Sequence, residues 1–138
     1  MREILFCGKR CDNGEWVQGY YIRADHHWHK HGIHKDWIVC SASANGGWFA
    51  LHNKYAVKAE TIGQFTGLTD KNGKRIFEGD VMEFEAYGIF YRGVVTIDGG
   101  NTGVFCKGGS PFLDDTIKRH DAVKIGNIHD NPELLENP

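Results

Sequence analysis

The sequence predicts an all-β protein: an antiparallel amino-terminal β lobe followed by a small carboxy-terminal barrel, with a short helical turn at the end. Eighteen glycines stand against three prolines in 138 residues. Glycine costs backbone entropy inside an element, so that balance fits many turns between short strands better than long helices. Short runs rich in β-branched and aromatic residues recur between turn sequences, as at Trp16 to Arg23 and Gly93 to Ile97. Asn72-Gly73 lies between Leu68 and Ile76-Phe77, the dipeptide that a hairpin turn with positive φ at both central positions prefers.

In chain order, Ile4-Leu5-Phe6 reads as a strand, and Asp12-Asn13-Gly14 turns the chain into Trp16 to Arg23. A polar, histidine-crowded loop runs from Asp25 to Lys35, and Trp37 to Cys40 is the next strand. Small residues and Asn45-Gly46-Gly47 then turn the chain toward Trp48 to Leu51 and Tyr55 to Val57. These strands form the first lobe, 1–60. The second, 61–138, opens on the hairpin around Asn72-Gly73, and Gly79-Asp80 turns into Val81 to Ala86. Alternation there puts Met82, Phe84 and Ala86 on one face and Glu83 and Glu85 on the other. Asp98 to Asn101 joins two further strands, Gly108 to Asp115 is a loop, and Ala122 to Ile128 is the last strand. Strands this short close most economically into a barrel, which removes exposed edges. Asn131-Pro132-Glu133 reads as a cap, a first-turn proline and a first-turn acid, so one or two helical turns follow.

Composition narrows the function classes. Sixteen Lys and Arg against eighteen Asp and Glu give a formal net charge of −2, far from the basic surface that binding to duplex phosphates requires. No apolar run approaches the roughly twenty residues of a membrane-spanning helix, and no signal-peptide core precedes the first strand. A cytoplasmic location follows as the expectation, and with it four unpaired thiols at Cys7, Cys11, Cys40 and Cys106.

Chemistry has few places to sit. His26, His27, His29, His31 and His34 are close in sequence, and the spacing of His27, His29 and His31 would put three imidazoles on one strand face, a donor set suited to zinc, copper or nickel. No carboxylate or cysteine at ligand spacing completes a tetrahedron, so an exposed polar loop that binds metal only adventitiously is the reading adopted. Cys7 and Cys11 have neither redox nor zinc-knuckle spacing, and Cys7 and Cys40 read as small core residues. Asp80, beside Glu78, is expected to accept backbone hydrogen bonds in its turn rather than bind magnesium. His120-Asp121 could orient a nucleophile, but Ser110 and Cys106 lie in no recognisable elbow. Neither a catalytic residue nor a cofactor is implied.

Three sequence blocks nevertheless point to a family. The order ETIGQFTGLTDKNGKRIFEGDVM, with REILF at the start and KIGNIHDNPELLE at the end, resembles the YopX family of phage and prophage proteins over nearly the whole chain. The resemblance implies an all-β architecture ending in an SH3-like barrel, with no assigned biochemical role and no site residue to carry over. The function expected is that of an accessory protein acting by association, with itself or with a host or phage protein. A single-stranded nucleic-acid module is the alternative, and a metal-dependent enzyme stands third. All four tryptophans lie in the first half, and Lys, Glu and Asp are sparse from Trp37 to Phe49. Trp37, Trp48 and Phe49 are therefore the expected contact residues of a homo-oligomer.

Overall fold

The computed structural model describes residues 4–23, 35–45 and 48–135, and of 42–45 and 48–52 the backbone alone. The chain divides into two compact units, one running to Gln64 and the other from Phe65. The fold is all-β, built from antiparallel sheets with, among the described residues, one short α-helix.

In the first unit, β1 (Phe6–Lys9), β2 (Trp16–Arg23), β3 (Asp36–Asn45) and β4 (Trp48–Ala56) lie in the order β4-β3-β2-β1. Gly63 and Gln64, the first residues of β5 (Gly63–Thr69), pair with Cys7 and Phe6 on the far side of β1. The chain after β4 turns back to β1: Arg10 bridges Val57, and the Lys58 amide donates to the Lys9 carbonyl at 2.9 Å. Leu5, Cys7, Ile38, Val39 and Val57 are buried in this unit. A one-turn 3-10 segment at Ala59–Thr61 follows, and its buried Thr61 hydroxyl accepts from the Lys9 amide (2.9 Å) while donating to the Lys58 carbonyl (2.6 Å). One hydroxyl thus serves the Lys9 amide and adds a second donor to the Lys58 carbonyl, which also accepts from the Thr61 amide at 3.0 Å.

In the second unit, β5 continues into a hairpin with β6 (Arg75–Phe77), where Phe65 faces Phe77 with ring centroids 5.4 Å apart. The turn between them is longer than the two-residue form expected from Asn72-Gly73. Of the residues that join the strands only Gly73 has positive φ, at +79°. The Gly73 amide donates to the Asp70 carbonyl and the Asp70 amide to the Lys74 carbonyl, both at 3.0 Å. This is a three-residue loop closed by a left-handed glycine, and Asn72 keeps an ordinary negative φ.

The main sheet of this unit comprises β7 (Asp80–Ala86), β8 (Ile89–Asp98), β9 (Asn101–Cys106) and β10 (Val123–Asn127), in the order β10-β7-β8-β9. Met82, Phe84, Ala86, Val95 and Val104 turn one face into a cluster with Ile76, Leu113 and Ala122. Among the described residues β9 and β10 end the sheet without pairing to each other, so it is open where barrel closure was expected. The inner face is covered instead by α1 (Leu113–His120), whose Leu113 is fully buried in the cluster. The free edge of β9 is met by the chain just before that helix, the Val104 amide donating to the Pro111 carbonyl at 2.9 Å. A helix and a covering segment thereby remove the exposed face and edge that closure would have removed.

The α1 segment was expected to begin as a loop. Its start has no side-chain cap, Phe112 occupying that position. Its charges nonetheless follow the helix dipole, Asp114 and Asp115 in the first turn and Lys118, Arg119 and His120 in the last. The final 3-10 turn, Pro132–Leu135, stands where a helical turn was read. Here the Asn131 side chain accepts from the Asn127 amide at 3.3 Å, tying the turn back to the end of β10.

The Gly79-Asp80 turn anchors the second unit's first long strand. Gly79 has φ +93° and is buried; its amide donates to the Val95 carbonyl (2.9 Å), and its carbonyl accepts from Ile128 (3.0 Å). Gly79→Ala is expected to lower stability by about 1 to 2 kcal/mol, the cost of placing a Cβ in the left-handed region. An unchanged urea midpoint would show that the turn relaxes at no cost.

Candidate protein-interaction surfaces

Two surfaces stand out, one in each unit. In the first unit β2 pairs with β3 only from Asp36 to Val39, opposite Arg23 to Tyr20. The two strands then part at Gly19, which is buried against β3: a Cβ there would lie 2.4 Å from the Val39 carbonyl oxygen. Pairing between β3 and β4 continues beyond that point, from Ser41 opposite His52 to Asn45 opposite Trp48. The result is a two-stranded ribbon that, among the described residues, is paired on one side of each strand alone. It carries no Lys, Arg, Asp or Glu between Trp37 and Asn53, the residue types that usually blunt an exposed edge. Trp37 is half-buried at the base of β3, and Trp48 pairs with Asn45 at the ribbon's end. The side chains of Trp48 and Phe49 lie outside the described residues.

The second unit carries an apolar groove on the outer face of β8 and β9. Val94 and Phe105 face each other in register, and Phe90 and Phe105 are 67% and 65% exposed. These residues alternate with Tyr91, Val95 and Val104, which point into the core, so both faces of the two strands are apolar. Leu134 and Leu135 of the last 3-10 turn form the other wall of a cavity of about 460 Å³. Arg92 holds that wall in place, its Nε donating to Glu83 at 2.8 Å and its Nη1 to the Leu134 carbonyl at 3.4 Å.

The remaining candidates occupy other roles. His27, His29 and His31, with His26 and His34, lie outside the described residues. Among those that are described, no group of three or more His, Cys, Asp or Glu is placed to hold a metal. Asp80 is buried; its carboxylate accepts from the Phe77 amide (2.7 Å) and pairs with Lys124 (2.9 Å). Burial pushes the Asp80 carboxyl above its ordinary pKa against the pull of those two partners. Glu83 is taken by Arg92, and Glu85 is exposed. The His120 ring lies between Phe84 (6.0 Å) and Tyr87 (6.1 Å), while Asp121 ends α1 in the left-handed conformation.

All four cysteines are thiols. Cys7 is buried, whereas Cys40, expected in the core, is exposed, its thiol donating to the Gln18 carbonyl at 3.3 Å. Burial raises the pKa of Cys106, the opposite of what an activated thiolate needs.

Sequence reasoning missed Phe90 and Phe105. The readable sign was alternation without polarity: in Phe90-Tyr91 and Val104-Phe105, adjacent apolar residues must point to opposite faces of the sheet.

Comparison with known proteins agrees with this architecture. No curated protein matches the chain. Among solved structures, the crystal structure of protein EF1440 from Enterococcus faecalis superposes with a TM-score of 0.62 at 21% identity, covering 98% of this chain and 99% of that one. At that identity the likeness concerns the fold. The family described as YopX protein matches residues 6–136, nearly the whole length, and the chain belongs to that family.

Proposed function

We propose that this protein is a phage or prophage accessory protein that acts in the host cytoplasm by association, and that its first partner is a second copy of itself. The observation that carries this reading is the ribbon of β3 and β4. A two-stranded ribbon is marginal in water without a third strand or a packed face. Among the described residues, the outer edge of β4 from Trp48 to His52 offers backbone donors and acceptors to an added strand, the mode of recognition in which main-chain bonds supply affinity. An uncharged edge selects an uncharged strand, and the same segment of another copy meets that requirement. A symmetric pairing of this kind closes on itself and does not polymerise.

Light scattering coupled to size exclusion at micromolar concentration is expected to give a mass that is a multiple of 15.6 kDa. Trp48→Asp, which puts a charge at the ribbon's end, should shift the equilibrium toward the single chain. A single species at the monomer mass refutes self-association, and an oligomer indifferent to Trp48→Asp moves the contact away from the ribbon.

A further inference from the structure

We propose that the groove on the outer face of β8 and β9 is a binding site for a small amphipathic carboxylate, a molecule with an apolar chain or ring and one anionic head. The inference is independent of the self-association proposed for the first unit.

The walls set the apolar part. Phe90, Val94 and Phe105 on one side and Leu134 and Leu135 on the other enclose about 460 Å³, within the range of roughly 300 to 1,000 Å³ typical of small-ligand sites. The walls stand in place with no ligand present, Arg92 joining the 3-10 turn to the sheet through Glu83 and the Leu134 carbonyl. A preformed apolar surface loses little ordering entropy on binding.

The rim sets the head group. Lys107 lines the groove at the tip of a tight turn in which the Cys106 amide donates to the Gly109 carbonyl (3.0 Å) and the Gly109 amide to the Cys106 carbonyl (3.2 Å). The lysine is exposed and makes no ion pair among the described residues. Arg92, the other cation lining the groove, already has its charge met by Glu83. No carboxylate is among the described residues that line the groove; among them the one uncompensated charge is positive and favours an anion.

The backbone separates a small ligand from a peptide. A bound peptide strand needs a sheet edge with open amides and carbonyls. β8 is flanked by β7 and β9, and the outer edge of β9 is occupied at Val104 by Pro111 and at Cys106 by Gly109. What remains open is side-chain chemistry: apolar walls and one ammonium.

Isothermal titration calorimetry of the full chain with 4-phenylbutyrate, 4-phenylbutan-1-ol and 4-phenylbutylamine tests this, since the three probes differ only in the head group. One site per chain is expected. The carboxylate should bind about three- to fivefold more tightly than the alcohol, the size of one partly solvated ion pair, and the amine most weakly. Lys107→Ala should bring carboxylate and alcohol to equal affinity. Phe105→Ser should weaken all three probes, and thermal melts of both variants should match the parent because both side chains are exposed. No binding of any probe at millimolar concentration, equal binding of amine and carboxylate, or affinities untouched by either substitution would overturn the proposal. So would a terminally blocked Leu-Phe-Asp-Leu peptide that binds more than tenfold tighter than 4-phenylbutyrate and depends on Lys107, an outcome that assigns the groove to a peptide segment.

Discussion

Gly93→Ala is expected to destabilise the second unit by roughly 2 kcal/mol or more, although alanine is ordinarily the better residue in a strand. A Cβ at Gly93 would lie 2.6 Å from Val104 Cγ1, 2.7 Å from the Phe105 carbonyl oxygen and 3.0 Å from Cys106 Cβ. Two of these three neighbours cannot yield cheaply. The carbonyl is main chain of the paired strand, and Val104 is fully buried in the core cluster. Overpacking of this kind costs about 1 to 3 kcal/mol, and more where backbone must move. Against it stands the gain of about 0.4 to 1 kcal/mol from reducing the freedom of the unfolded chain, so the steric term wins. Gly88→Ala supplies the comparison. Gly88 has φ +80° and nothing within 4 Å of an added Cβ, so only the left-handed strain of about 1 to 2 kcal/mol applies. Urea unfolding followed by the second unit's signal measures both. A Gly93→Ala midpoint at or above the parent's would mean that β8 and β9 are not held as close as this register requires.

Much of the β framework was legible because it is local. Strand β7 shows its alternation within a few residues, and the Asn72-Gly73 neighbourhood announces a hairpin whatever its loop length. The loop length itself was not legible. It depends on Asp70, whose side chain reaches over the turn and stabilises the form in which only Gly73 is left-handed. Sheet closure was also beyond the sequence, since whether β9 meets β10 depends on what else covers the inner face. The cover is α1, which lacks a capping side chain and is only eight residues long. Its dipole-matched charges, Asp114 and Asp115 in the first turn and Lys118, Arg119 and His120 in the last, were the readable clue.

The two surfaces were legible to different degrees. The uncharged stretch from Trp37 to Phe49 is visible in the sequence as a depletion of charge. That it belongs to a ribbon paired on one side depends on β2 leaving β3 at Gly19, a matter of register and close approach. Of the groove only the adjacent apolar pairs were legible, because its two walls, joined by Arg92 and the Leu134 carbonyl, lie 42 residues apart. An exposed Phe90 in sequence is indistinguishable from a buried one until the facing strand and the core side are known.

Asp70→Ala is expected to cost about 3 to 5 kcal/mol, the largest effect of any single side-chain truncation in the second unit's turns. Asp70 is 4% exposed. Its Oδ1 accepts from the amides of Asn72 (2.9 Å) and Lys74 (3.0 Å), and its Oδ2 from the amide of Lys124 (3.1 Å), 54 residues away at the start of β10. Hydrogen bonds to a charged acceptor contribute about 1.5 to 3 kcal/mol each, and donors stranded in a buried site add their own cost. The lower end of the expected range allows water to reach the turn amides. Asp70→Asn separates turn from crossover: its carbonyl can keep the Asn72 and Lys74 bonds, while its NH₂ would face the Lys124 amide donor to donor.

The pH dependence gives an independent reading. Burial raises the Asp70 carboxyl, but the three backbone amides together with the Lys74 charge outweigh it and hold the pKa below the ordinary 3.8. A carboxyl depressed in the folded state contributes stability that is present above its unfolded pKa and is lost as pH falls through the folded value. Asp80 acts with the opposite sign. Its carboxyl is raised above 3.8, so its contribution is largest below that value and declines as pH rises toward the folded pKa. The stability difference between the parent and Asp70→Asn should therefore be constant near neutral pH and shrink below about pH 4. Asp80, present in both proteins, cancels from that difference. A gap that stays constant down to pH 2 would show that the Asp70 carboxylate is not what holds the turn to β10.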